Sequence, residues 1–319
     1  MTNSYKPEGM LYSTAENREY ICSAMGLERA MAEGRILEAQ VNLCDNDMRL
    51  HVDLYGIPAI IDREEAVFSP CGEEIKDIAV ITRVGKPTCF KVMGFFEENG
   101  VRTARLSRRE AQKECFYSYV SSLECGDVIK ARVTRLENFG AFADIGCGLI
   151  SLLSIDCISV SRISHPSDRL SVGTVIWAAV KAIDRKMGRV FLTQRELLGT
   201  WEENAREFCV GQTVAGIIRS VESYGIFIEL APNLAGLAET RSEEERLALA
   251  DAVGQSCAVY IKSIIPERMK IKLVIVDAYG EGARKAPPKY FIDGEACGHI
   301  PYWRYSPDSA QKIVETVFE

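Results

Sequence analysis

The chain holds only three histidines, His51, His165 and His299, far apart in 319 residues. Metal centres and histidine-based catalysis need such side chains gathered with carboxylates or thiolates, so each is read as a surface or hydrogen-bonded residue. Eleven cysteines are scattered singly, with no Cys-x-x-Cys pair to form half of a zinc site or a redox motif. They are read as reduced thiols serving as small apolar residues. The start, MTNSYKPEGM, lacks the basic region and apolar run of a signal peptide, and no apolar stretch reaches about 18 residues, the length that spans a bilayer. A soluble, cytoplasmic protein with no membrane partner is expected.

Enzyme motifs are missing as well. VGKPTCF (84–90) contains Gly-Lys, but proline follows the lysine and the upstream glycine of a phosphate loop is absent. No nucleophile elbow occurs. The expectation is a non-catalytic protein with no catalytic residue, metal, cofactor or small-molecule substrate. Positive charge is also scarce, 38 basic against 45 acidic residues for a net charge of -7. That opposes indiscriminate nucleic-acid binding. A local site remains open, because the screening length at physiological salt is only about 8 Å.

What is present is repetition. With 47% apolar residues the chain can bury sizeable cores, and its length suggests about two or three domains. EGRILEAQV (33–41), CGDVIKARV (125–133) and VGQTVAGII (210–218) align on Gly34, Gly126 and Gly211, which are 92 and 85 positions apart. Each opens an alternating apolar segment, the signal for a half-buried strand. ENFGAFADI (137–145) matches ESYGIFIEL (222–230) at the same 85-residue offset, so Phe139 and Phe142 recur as Tyr224 and Phe227. Residues 101–111, 188–197 and 269–277 read as closing strands, and 197–211 as a joining helix. A single sheet of this size leaves unpaired edges, which closure into a five-stranded barrel largely removes. The predicted fold is mostly β with linking helices, in tandem five-stranded oligonucleotide-binding (OB) barrels. Side chains three apart on a strand face opposite ways, so two rings sharing one surface require a break between them, which Gly140 is expected to supply.

These residues resemble the S1-type RNA-binding domains and arrays of them such as bacterial ribosomal protein S1. GDVIKARV, NFGAFADIGCGLI and LSVGTVIWAAVKAIDRKMGRVFLTQREL of the second repeat carry the likeness best. It covers about residues 31–276, is good in the third repeat and degenerate in the first. The implied organisation is an N-terminal helical extension over 1–30 and a degenerate barrel with a following linker helix over 31–112. The main RNA-binding barrel spans 124–198 and a weaker one 208–276, followed by a C-terminal hairpin-helix module over 277–319.

In the family the two aromatics form a stacking surface, which the resemblance places at Phe139 and Phe142, and at Tyr224 and Phe227. The position usually held by histidine is Ser151 in the second repeat, still able to donate to phosphate, and Glu239 in the third, which would repel one. An acid and a base on the last hairpin correspond to Asp184 and Arg189, with Lys186 between. The third repeat supplies Arg268 and Lys270 without the acid, so its site should be weaker. Single-stranded RNA offers unstacked bases and one charge per nucleotide, which suits flat rings beside cations. Arg135 and Arg185 add charge, and residues 126–198 hold three more basic than acidic side chains. The partners expected are single-stranded messenger RNA and the small ribosomal subunit. The alternative is a protein-interaction array docking on a ribosomal subunit or RNA-processing complex, with docking the role expected of the first repeat.

Other features read as structure. Trp177 should lie outside its barrel against a linker or neighbour, and Trp201 should anchor the joining helix. RSEEERLALADA (241–252) reads as a solvated helix, and residues 13–33 as a capped helical stretch on the first barrel. In the tail, YGEGARKAPPK reads as a linker, KYFIDGEACGHIPYWRYS as a hairpin across Gly294 and Glu295, and PDSAQKIVETVF as a helix.

Overall fold

Alternating burial along short strands closes three small sheets into barrels. The protein is described here by a computed structural model covering residues 5–98, 100–240, 243–282 and 288–319. It forms two compact units: residues 1–124 with 143–151 and 183–190, and residues 125–142 with 152–182 and 191–319. Among the described residues no helix is long and apolar enough to cross a membrane.

In the first unit, α1 (Ala15–Ile21) and α2 (Ala24–Glu33) precede the first barrel. The stretch read as one helical segment is thus two helices. Ser23 separates them by capping α2, accepting from the Gly26 amide at 3.0 Å. Tyr20, Ile21, Leu27 and Ala30 bury against the barrel interior. The barrel comprises β1 (Leu37–Cys44), β2 (Leu50–Leu54), β3 (Ile57–Ile61), β4 (Pro87–Glu98) and β5 (Val101–Ser107), with the short α3 (Asp77–Ile81) before β4. Around the closed sheet the order is β1-β2-β3-β5-β4, and β3 runs parallel to β5. Linker helix α4 (Arg108–Ser118) follows, capped by Ser107.

Two buried carboxylates pin the N-terminal segment of this unit. Glu38 accepts from the amides of Gly9, Leu11 and Tyr12. Asp144 accepts from those of Glu8, Gly146 and Gly148. Burial, with the Glu8 charge adding to it, pushes both up to about 7. Burial works upward on Glu8 too, but Arg108 at 2.7 Å and Arg83 at 2.9 Å hold it at about 2.

The second barrel has β6 (Val128–Glu137), β7 (Gly140–Asp144), β8 (Ile150–Ser154), β9 (Val175–Asp184) and β10 (Arg189–Thr193). The joining helix shortens to α5 (Trp201–Ala205), closed by a Thr200–Glu203 capping box, with Trp201 buried at its start. The third barrel has β11 (Thr213–Glu222), β12 (Gly225–Ala231), β13 (Leu234–Ala238), β14 (Gln255–Ile265) and β15 (Lys270–Gly282), with α6 (Glu243–Ala250) before β14. Both sheets close in the order of the first, so the three barrels share one topology, as expected from the repeat. Residues 241 and 242, the start of the predicted solvated helix, lie outside the described residues.

The C-terminal tail departs from its sequence reading. β15 runs on to Gly282, inside the stretch read as a linker, whose residues 283–287 lie outside those described. Gly294 and Glu295 occupy a turn that pairs no strands, and no helix forms over PDSAQKIVETVF. Instead β16 (Tyr302–Arg304) pairs antiparallel with β17 (Glu315–Val317).

The tail straps the second barrel to the third within the second unit. Val128 N–H donates to the Gly298 carbonyl at 3.0 Å, and Ile300 N–H to that of Gly126 at 2.8 Å. Gly294 packs flat on Trp177, where a Cβ would come within 2.3 Å of the indole. The Tyr290 hydroxyl accepts from Trp177 N–H at 3.0 Å. Further along, Trp303 and Tyr305 join Trp201 in one buried cluster with the third barrel's core. Fully buried Asn233 ties the joint, accepting from Val160 N–H and donating to the carbonyls of Arg195 and Gly199. Arg219 adds a largely buried ion-pair link, reaching Glu229 of β12 at 2.6 Å and Asp168 of the second barrel at 3.2 Å.

Candidate nucleic-acid interface

The aromatic pairs stand on hairpins. β6 ends at Glu137 and β7 starts at Gly140, so Phe139 occupies the turn while Phe142 lies on the outer face of β7. The break between the rings is therefore the turn itself. Gly140 has a different task from the one expected: a Cβ there would lie 2.4 Å from the Leu153 carbonyl oxygen, and the Phe139 carbonyl accepts from Ile155 N–H at 2.9 Å. Glycine lets β7 press against the end of β8. Phe139 is 55% exposed and Phe142 is half-buried. Their centroids are 5.9 Å apart with the planes at 88°, an edge-to-face pair.

The third barrel repeats this arrangement. Tyr224 sits in the β11–β12 turn, 63% exposed, and its ring meets Phe227 at 6.1 Å and 89°. Gly225 approaches the Ala238 carbonyl as Gly140 approaches Leu153, and it also adopts φ +148, a conformation that favours glycine.

Strand register brings cations to the same face. Phe227 is paired with Leu237, and Leu237 with Lys272; laterally paired residues face the same side. Lys272 thus stands two strands from Phe227, roughly 10 Å at the usual strand spacing. Lys270 lies two residues earlier on that side of β15, and Arg268 closes the turn before it. All three cations are exposed. Lys272 escaped the sequence reading, although the alternation in MKIKLVIVD places it in phase with Lys270. In the second barrel, half-buried Phe191 pairs with half-buried Leu152, an outward row also missed. GRVFLT carried the signal, since Arg189 and Phe191 share a phase.

The remaining predicted residues divide. Arg135 is exposed on β6 and ion-paired to Glu137. Lys186 is exposed in the β9–β10 turn. Asp184 shapes that turn, accepting from the amides of Lys186 and Met187 at 3.0 and 3.1 Å. Arg189 is exposed and faces Glu73 at 3.6 Å. Ser151 is corrected: it is 2% exposed and its hydroxyl has no hydrogen-bond partner among the described residues. The period-two phase of β8 turns Leu152 outward and Ser151 inward, so its hydroxyl is not presented at the surface.

The first barrel has no counterpart of the aromatic turn. Its β1–β2 connection is organised by Asp45, which accepts from the amides of Asp47 and Arg49 and pairs with His51 at 2.8 Å.

Closed five-stranded barrels in tandem, two of them bearing a matching aromatic pair, define this chain as an array of OB-type barrels. The family model described as S1 RNA binding domain matches residues 122–195, the second barrel. About half to 70% of the chain is similar to the bacterial small ribosomal subunit protein bS1. It is 28% identical to that of Rhizobium meliloti (strain 1021) over 189 residues, 58% of this chain and 32% of the relative. For Leuconostoc lactis the identity is 32% over 161 residues, 48% and 37% of the two chains. For Rickettsia conorii (strain ATCC VR-613 / Malish 7) it is 28% over 234 residues, 70% and 40%. The chain therefore spans well under half the length of these relatives.

Proposed function

We propose that the protein is a non-catalytic RNA-binding protein that holds single-stranded messenger RNA on its second and third barrels and acts with the small ribosomal subunit in translation. The observation that supports this reading best is the recurrence of one edge-to-face pair, Phe139–Phe142 and Tyr224–Phe227, on the second and third barrels. Rings of this kind stack on splayed bases, each stack contributing roughly 1–3 kcal/mol. Arg135, Lys186 and Arg189 on the second barrel, and Arg268 and Lys270 on the third, supply charge for the backbone. Asp184 acts by holding the turn that carries Lys186.

The cytoplasmic and ribosomal setting rests on the resemblance to the bS1 proteins. The first barrel favours the second reading, docking on a protein or ribosomal surface, because its β1–β2 turn is built around Asp45 where the others carry an aromatic ring. The test is binding of the full chain to a mixed-sequence single-stranded RNA and to its duplex across a salt series. Preference for the single strand, weakening with salt, supports the reading. Absence of direct RNA binding, with ribosomal co-purification surviving nuclease, would favour the docking reading.

A further inference from the structure

The C-terminal tail also carries Lys312, an exposed cation with no role in the strap. We infer that the tail completes a phosphate seat on the third barrel by placing Lys312 beside Arg268 and Lys270, an inference that rests on the barrels binding RNA.

The β16–β17 pairing closes a loop over residues 305–314, tightened by Tyr305 N–H to the Val314 carbonyl and by Val314 N–H to Ser306 Oγ, both at 2.9 Å. The tip of that loop docks on the turn before β15, where Gln311 N–H donates to the Glu267 carbonyl at 2.9 Å. Between them lies a recess of about 280 Å³ lined by Glu267, Arg268, Met269, Lys270, Gln311 and Lys312. Three cations and one carboxylate therefore border a single hollow. Arg268, Lys270 and Lys312 are exposed and, among the described residues, make no ion pair, whereas Lys130, Lys289 and Arg304 elsewhere on the same unit are each paired with a carboxylate.

The chemistry fits a phosphodiester. Cationic residues lining one recess raise the local potential in an acidic chain. The free Gln311 side chain adds a neutral polar group. Lys270 and Lys272 lie on the face of Phe227, so a strand stacked on Tyr224 and Phe227 can lead its backbone into the recess. The third barrel lacks the acid–base pair of the second, and the tail supplies a third cation in its place.

The test uses the full chain with fluorescent mixed-sequence single-stranded RNA over a salt series, comparing Lys312→Glu, Lys312→Arg and Lys6→Glu. Lys6 is an exposed lysine of the first unit, so its substitution makes the same change in net charge. Lys312→Glu should weaken binding about three- to tenfold at low salt and shrink the slope of log affinity against log salt by about 0.7, the share of one phosphate contact on a single strand. Lys312→Arg should bind as the parent does, and Lys6→Glu should change affinity by less than about twofold. An unchanged slope in Lys312→Glu, or equal losses in Lys312→Glu and Lys6→Glu, would overturn the seat while leaving RNA binding intact. Competition by polyglutamate as strong as by RNA at equal charge would assign the recess to acidic protein instead. A parent chain that binds no RNA would overturn both this seat and the proposed function.

Discussion

Phe227 and Lys272 lie in one lateral row of the third barrel, with only Leu237 between them. An aromatic face and an ammonium group are thereby held at a fixed spacing by backbone pairing alone. Lys272→Glu should weaken single-stranded RNA binding and lower the salt slope by about 0.7, with thermal stability unchanged. A salt-titrated binding curve checks this, and an unaltered slope would remove Lys272 from the interface.

Ser151 provides the opposite expectation. Its hydroxyl is buried and, among the described residues, unpartnered, so removing it breaks no hydrogen bond to them. Ser151→Ala should leave RNA affinity at the parent value and change stability by less than about 0.5 kcal/mol. A clear loss of affinity by fluorescence anisotropy would return Ser151 to the site.

Gly140 tests the hairpin that presents Phe139. A methyl group there would sit 2.4 Å from a backbone carbonyl that cannot swing aside. Gly140→Ala should cost about 1–3 kcal/mol in chemical denaturation, as overpacking does. It should also weaken RNA binding, because separating β7 from β8 displaces the turn. Parent-like stability would mean that the close approach is not needed.

The carboxylates holding the N-terminal segment predict a pH dependence. Glu38 and Asp144 are raised to about 7 in the folded protein, well above their unfolded range near 4. The folded state therefore retains protons that the unfolded state has lost. That contribution is complete below about pH 4, declines as pH rises, and is gone above 7. Glu8, depressed to about 2, acts in the opposite sense only below about pH 4.5. The melting temperature should fall between pH 5 and 8, and Glu38→Gln should flatten that decline. A melting temperature that rises across this interval, or an equally steep decline in Glu38→Gln, would contradict the assignment.

Barrels and rings were legible because both follow from local pattern. Alternation in CGDVIKARV and VGQTVAGII fixes which side chains enter a core, and the 85-residue offset repeats a hairpin whose turn exposes its ring. The tail was not legible. Ile313, Val314, Val317 and Phe318 suit either a helix face or a strand, and pairing of Glu315–Val317 with Tyr302–Arg304 decides between them. Ser151 departs from the family position because the strand phase, fixed by Leu152 opposite Phe191, turns it inward. Contacts such as Glu8 with Arg108 or Asn233 with Val160 join residues 100 and 73 positions apart, and no local signal announces them. Lys272 and Phe191 needed only the same alternation argument applied one step further along β15 and β10.

The central claim is that Phe139 and Phe142 together form a base-stacking surface. The most direct measurement is the affinity of the full chain for a mixed-sequence single-stranded RNA, parent against the Phe139→Ala, Phe142→Ala double variant, at fixed salt and with matched circular dichroism. At roughly 1–3 kcal/mol for each stacked base, the double variant should bind at least about tenfold more weakly. Equal affinity in two equally folded proteins would contradict the account.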